Sequence, residues 1–434
     1  MPSGPGDTGH VPTLTDPPQL PDEVTRVLAA LRRWPDVEGP DLLAADGADR
    51  LLLDELASPG TPHPVPTEPG AVTVLDDAHG ALTLGVVALG AQAPRVWQDS
   101  LVAERALDAN AARLGLAGSF VRHDAGAPGE QLVPASALDG ARLVLVRLPR
   151  SLAALTELAE AVARHAAPDV VLLATGMVKH MTPTMNEVLG RCFTDVHATR
   201  GRYKARALVA AGPRTDVAQT YPVSEEAYPR LTVWAYGTAF AGPRLDRGTQ
   251  ALLDALGLLP GAGGTLPGEE PRVLDLGCGT GVLATCAALA NPGAQVVATD
   301  VSAAAVASTT LTARAAGVGD RVTVLRDDTA AGLADASFDA VLCNPPFHVG
   351  AAVHTGAAER MFRAAARVLR PGGTLWTVYN SHLQYRGELA RVVGSTTQLT
   401  RDPTFTVTRS VARTGAGPGV QRPRRVRPPE ADAS

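Results

Sequence analysis

Val273-Leu274-Asp275-Leu276-Gly277-Cys278-Gly279-Thr280-Gly281, running into the apolar segment Val282 to Ala290, is the stretch on which the fold of this chain turns. Val273-Leu274-Asp275 reads as a buried strand and Val282 to Ala290 as a helix. The loop between them has glycine at alternate positions. Glycine reaches positive φ without strain and lets another group approach the backbone closely, and a helix amino end favours polar or anionic groups. A tight packing turn is the plain alternative. A dinucleotide fingerprint would put glycine at position 282, where this chain has Val282.

The pattern continues on the carboxyl side. Val296 to Thr299 reads as the next strand, Ala303 to Ala316 as a helix, and Val322 to Leu325 and Ala340 to Cys343 as strands. A helix follows over 357–369, then Pro371-Gly372-Gly373 and a strand from Thr374 to Tyr379. Strands alternating with helices imply a mostly parallel, doubly wound α/β sheet. The first half of the chain reads as a worn copy of the second. Val74-Leu75-Asp76 with Gly80 parallels Val273-Leu274-Asp275 with Gly279, Asp99 parallels Asp300, and Leu145 to Arg150 falls where Leu342 to Phe347 falls. In the copy the glycine loop is reduced to Ala78-His79-Gly80, and Arg147 stands for Asn344. The expected division is a disordered start at 1–20, a degenerate domain at 21–210, a linker at 211–236 with few periodic elements, a second domain at 237–412 and a disordered Arg/Pro-rich tail at 413–434.

A chain of 434 residues with 45% hydrophobic content can bury two cores, and its net charge of −5 excludes a generally basic nucleic-acid binder. The charge is uneven. Acids dominate residues 1–70, whereas bases outnumber acids over 142–210 and crowd at Arg200, Arg202, Lys204 and Arg206, a patch suited to phosphate. Cys192, Cys278, Cys286 and Cys343 show no paired spacing, so neither a disulfide framework nor a metal site is expected. The start of the chain lacks a signal-peptide pattern and no apolar run reaches membrane-spanning length, so a soluble, cytoplasmic, monomeric protein is expected.

Three further places carry chemistry. Asp300, at the end of the second strand, suits a carboxylate accepting from two ribose hydroxyls. Asp327 or Asp328, at the end of the third, could accept from a ligand at the strand's carboxyl end, the other serving as a loop cap. Asn344-Pro345-Pro346-Phe347 ends the strand Ala340 to Cys343. Prolines cannot continue a central strand, so they make a stiff turn at the carboxyl edge, where open α/β sheets bind ligands. The Asn344 amide and the Pro345 carbonyl can accept the hydrogens of a planar amine, and Phe347 offers a stacking face. That would favour a pyramidal nitrogen with its lone pair directed at an electrophile, a gain of orientation and electrostatics.

The pattern D-x-G-x-G-x-G over Asp275, Gly277, Gly279 and Gly281 resembles the first motif of class I S-adenosylmethionine (SAM) methyltransferases. Asn344 to Phe347 resembles the N-P-P-[FY] motif of the amine- and amide-directed members. With His348, Met361-Phe362, Gly372 to Trp376 and Tyr379 to Tyr385, the resemblance narrows to bacterial ribosomal RNA (rRNA) guanine-N2 methyltransferases. Met177 to His180 and Lys204-Ala205-Arg206 are more similar to the large-subunit (23S) branch than to the 16S one. The resemblance implies two tandem Rossmann-like domains, only the second of which binds SAM. Phe240 and Leu245-Asp246-x-Gly248 match a segment that in the family helps cover the cofactor. The resemblance also implies RNA contact by Lys179, Arg202, Lys204, Arg206 and His348, with rRNA, a ribosomal subunit or an assembly intermediate as partner. Asn380-Ser381-His382-Leu383-Gln384-Tyr385 departs from the Asn-Arg-His-Leu-Pro-Tyr usual in that branch, which leaves the target nucleotide open. The N-P-P motif also occurs in protein glutamine and DNA adenine methyltransferases, and a nonenzymatic RNA-binding assembly factor is the remote alternative.

Overall fold

A computed structural model describes residues 20–39, 42–346 and 356–414. Of the segments read as disordered at 1–20 and 413–434, residues 1–19 and 415–434 lie outside the described residues, as do Phe347 and His348.

Two seven-stranded sheets share one topology. The first holds β1 (Val72–Leu75), β2 (Arg95–Trp97), β3 (Val121–Arg122), β4 (Leu143–Arg147), β5 (Val171–Met177), β6 (Phe193–Ala198) and β7 (Ala205–Pro213), in the order β3-β2-β1-β4-β5-β7-β6. A hairpin of β8 (Val223–Tyr228) and β9 (Leu231–Ala235) follows. The second sheet holds β10 (Arg272–Leu276), β11 (Gln295–Asp300), β12 (Val322–Arg326), β13 (Phe338–Cys343), β14 (Leu369–Asn380), β15 (Gly394–Arg401) and β16 (Phe405–Ala412), in the order β12-β11-β10-β13-β14-β16-β15. In both sheets the first five strands in chain order are parallel, and the last two are added antiparallel at one edge. This is the α/β, tandem Rossmann-like architecture expected from the sequence.

The central strands are mostly apolar on both faces because helices cover both. On β10, Val273 packs into one core while Leu274 and Leu276 pack into the other, and β14 splits Leu375 and Tyr379 from Trp376 and Val378 in the same way. Residues 211–236, expected to be element-poor, hold the end of β7 and the hairpin. Small side chains on the helix Ala303–Ala315 let β9 approach it, so that the Ser308 and Thr312 hydroxyls accept from Tyr236 N at 3.1 Å and Trp234 N at 3.0 Å. Pro371 to Gly373 lies inside β14, as an irregularity in its pairing with β13, rather than ahead of the strand.

The duplication is visible residue by residue, with a shift from the sequence reading. Leu75 and Leu276 occupy the same place in their ladders, and Gly80 and Gly281, both with positive φ, precede the helices Ala81–Ala88 and Val282–Ala290. Gly80 is therefore the counterpart of Gly281, not of Gly279. Asp76, with φ 56°, stands where Gly277 has φ 82°. Ser100 and Ser302 cap equivalent helices, so Gln98, not Asp99, takes the place of Asp300.

Those two serines pair with each other across the domain boundary. Leu101 N donates to Val301 O and Ala303 N to Asp99 O, each at 2.9 Å, a pair of bonds that is nearly its own mirror under exchange of domains. Asp99 Oδ1 accepts from Ser302 Oγ at 3.0 Å and Ala304 N at 2.8 Å. Arg326 ion-pairs with Glu104 at 2.7 Å and donates to Gln98 O and Asp99 O. Ala303, Ala304 and Ala307 join the core of the first domain, so the junction is packed as an interior.

Replacing Arg326 with Ala should leave Glu104 without its cation and take one donor each from Gln98 O, Asp99 O and Val301 O at this junction. A loss of about 3 kcal/mol in urea unfolding is expected. Glu157, also at the junction, is pushed up to about 8 by burial, although Gly237 N donates to it at 2.7 Å. Its folded-state proton affinity thus exceeds that of the unfolded chain. Its contribution is fully present below about pH 4.5 and is lost as pH rises towards about 8. Stability measured against Glu157→Gln should therefore fall as pH rises through that window, and a pH-independent difference would contradict it.

Candidate active site

Both domains line one cavity of about 1010 Å³ at the carboxyl ends of their strands. The second domain supplies the loop Gly277 to Thr280, Asp300, Asp327, Asp328, Asn344, Pro345 and Pro346, and the first domain adds Gln98, Asp99 and Ser100. Phe240, 70% exposed, also lines it. Its segment is set by Gly237, whose missing side chain leaves room for Ala153 O; a Cβ there would lie 2.5 Å from that oxygen.

The glycine loop is held from behind. Asp275 is fully buried and lies outside the cavity wall; its Oδ2 accepts from Ala284 N at 2.9 Å, fixing the first turn of the helix, and its Oδ1 has no partner among the described residues. Burial pushes this carboxyl up to about 7. At Gly281, φ is 78° and a Cβ would lie 2.7 Å from the Thr309 methyl, so only glycine fits. Gly279 has open space where its Cβ would be, and its N–H donates to Asp300 Oδ2 at 3.0 Å. Asp300 Oδ1 accepts from Ser302 N at 3.0 Å; burial raises its pKa and these N–H groups oppose the rise. Asp327 accepts from Ala331 N at 2.7 Å and Gly332 N at 2.8 Å, so it is the loop cap. Asp328 is left facing the cavity, 4.0 Å from Arg105.

Asn344 is the most constrained group. Its Nδ2 donates to Asp246 Oδ2 and to Thr249 Oγ1, both at 3.0 Å, while its Oδ1 is buried without a partner among the described residues. Asp246 also caps the helix Arg247–Leu256, accepting from Thr249 N at 3.0 Å. One carboxylate thus starts a helix and fixes which way the amide points. This orienting pair was missed in sequence; a capping signal at Asp246 was available, but its contact with Asn344 spans 98 residues. The open glycine edge, the buried Asp300 and the unsatisfied Asn344 oxygen fit an adenosyl cofactor together with an amine donor.

The first domain carries the inactivated version. Asp46 caps the helix Gly47–Ala57 as Asp246 caps its own, and Arg147 stands at Asn344's ladder position. The Arg147 guanidinium donates to Asp46 and to Asp49 at 2.7–2.9 Å, filling the space with an ion cluster. Burial pushes Asp49 up to about 6 despite that partner.

The expected RNA-contacting residues are not all available. Arg202 is already paired with Glu55 at 2.8 Å and Asp54 at 3.8 Å. Lys204 and Arg206 are exposed but line neither cavity, whereas Lys179 lines a second, smaller one. Replacing Asp246 with Ala should remove a cap worth about 1 kcal/mol and release the Asn344 amide. The expected readout is a tenfold or greater drop in kcat with SAM affinity unchanged by calorimetry.

Residues 230–409 match the family described as methyltransferase small domain, and residues 23–214 match the RLMG N-terminal domain. The chain is 37% identical over 392 residues to the ribosomal RNA large subunit methyltransferase G of Streptomyces griseus, covering 88% of this chain and 97% of that one. It is 38% identical over 386 residues to the protein of that name from Pseudomonas aeruginosa, covering 87% and 96%. Among solved structures, a T. thermophilus 16S rRNA N2 methyltransferase in complex with AdoMet and guanosine superposes with a TM-score of 0.64 at 22% identity, over 87% of this chain and 97% of that one, a likeness of fold. The chain belongs to the ribosomal RNA large subunit methyltransferase G family of SAM-dependent enzymes.

Proposed function

We propose that this protein transfers a methyl group to the exocyclic N2 amine of a guanine in ribosomal RNA, with 23S rRNA favoured over 16S. The observation that carries the reading is the Asn344 side chain, whose N–H groups are both engaged and whose buried oxygen has no partner among the described residues. A buried acceptor without a partner costs free energy unless a ligand donates to it, and the N2 amine of guanine is such a donor.

SAM supplies an electrophilic methyl group on a sulfonium. Gly279 lets it approach the loop, Asp300 offers a carboxylate to ribose hydroxyls, and Asp328 accepts from the adenine amine. Asn344 Oδ1 and the Pro345 carbonyl then hold the two amine hydrogens of the guanine. They turn the nitrogen lone pair towards the methyl and stabilise the positive charge that develops on that nitrogen. The proton leaves readily once the nitrogen is alkylated, so no strong base is required. Phe347, next to Pro346 in the sequence, is assigned the stacking face. A guanine inside a helix cannot reach this depth, so the base enters unpaired or flipped out. Lys179, Lys204 and Arg206 of the first domain are assigned to phosphate.

Ribosomal RNA from a strain lacking the gene should lose one N2-methylguanosine from the large-subunit RNA, read by mass spectrometry of nuclease fragments. Wild-type protein should restore it in vitro with SAM. Asn344→Ala should turn over at least about a hundredfold more slowly, with SAM affinity within about twofold of wild type. Unchanged RNA in both subunits would overturn the reading.

A further inference from the structure

The two cavities share a wall. Arg33 lines the large one and also a second cavity of about 380 Å³, which Arg147, Lys179 and His180 help to enclose in the first domain. Next to Arg33 is Trp34, 60% exposed although it is among the largest apolar side chains in the protein.

The rib that carries Trp34 is tied down on every side. Arg32 exchanges two hydrogen bonds with the Asn110 side chain, each 2.9 Å. Arg33 donates to Val37 O at 2.7 Å and Leu43 O at 3.2 Å and pairs with Asp36, which in turn meets His79 at 3.3 Å. Pro35 O accepts from Arg360 Nη1 at 3.2 Å, which links the rib to the helix Gly356–Val368 of the catalytic domain. Arg360 lines the large cavity, and its Nε is buried without a partner among the described residues. Lys179, in the second cavity, makes no ion pair among the described residues.

We infer that Trp34 is a stacking platform for an unpaired RNA base next to the target guanine, with the flanking phosphates running from Arg360 on one side towards Lys179 on the other. The inference rests on the RNA reading above and adds a second base-binding place outside the methyl-transfer site. An exposed indole on an anchored backbone offers a face that a base can cover, and every base offers a π-face, so the site is tolerant of sequence. The cations at either end supply phosphate contacts, which position the strand without reading it.

The test uses the full chain with Trp34→Ala and Trp34→Phe. Large-subunit rRNA from the deletion strain is the methyl acceptor, and a short single-stranded RNA lacking guanine is a binding probe followed by tryptophan fluorescence. Trp34→Ala should raise KM for rRNA about ten- to a hundredfold, leave kcat within about twofold and leave SAM affinity and thermal midpoint unchanged. Trp34→Phe should recover most of the loss. The probe should quench wild-type fluorescence, and the quench should vanish in Trp34→Ala although the other three tryptophans remain. A KM within twofold of wild type in Trp34→Ala, or a quench that survives the substitution, overturns the proposal. If wild-type protein methylates no rRNA, the functional reading fails by itself, and the quench still decides whether Trp34 binds a base.

Discussion

The backbone pairing at Ser100 and Ser302 is the constraint on which the rest of this molecule depends. In each half, that serine follows the second parallel strand and caps the helix after it. By bonding the two places to each other, with Leu101 N to Val301 O and Ala303 N to Asp99 O, the chain turns the carboxyl ends of both sheets towards one space. Ligands of open α/β sheets bind at those ends. A domain with no functioning site of its own therefore becomes part of the wall of its neighbour's site, through Gln98, Asp99 and Ser100.

The junction also explains what became of the duplicated residues. Asp99, whose counterpart is Val301, caps the partner helix through Ser302 Oγ and Ala304 N. Gln98, at the place of Asp300, turns inward and donates to Asp77 O at 2.8 Å. Asp77 accepts from Thr83 N just as Asp275 accepts from Ala284 N, so the support of the first helical turn was kept although the acid moved three positions along the chain. What was conserved between the halves is the mechanics of the turn, not its ligand surface.

Much of this was legible in sequence because it is local. The strand–glycine–helix unit, the prolines after β13 and the repeat all follow from residues within a few positions of one another. The helix Val282–Ala290 was read to the residue. The exact alignment of the two halves was not legible, because Asp76 takes a positive φ that sequence reasoning reserves for glycine, and this hides the counterpart of Gly277. The hairpin β8–β9 escaped because its support comes from Ser308 and Thr312, more than seventy residues onward. Asp246, Thr249 and Trp34 escaped for the same reason: nothing near them in the chain announces what they meet in space.

The ion cluster of Arg147 with Asp46 and Asp49 makes the loss of the first site a one-way step. Asparagine at 147 would remove the cation that donates to both acids at 2.7–2.9 Å and leave two carboxylates confronting each other in a half-dry pocket. In the second half the equivalent residues are Asp246 and Thr249, so a route back must change Arg147 and Asp49 together, with less stable intermediates between. The space that Asn344 keeps open in the second half is thereby filled in the first, whose remaining constraint is the shape of the shared wall.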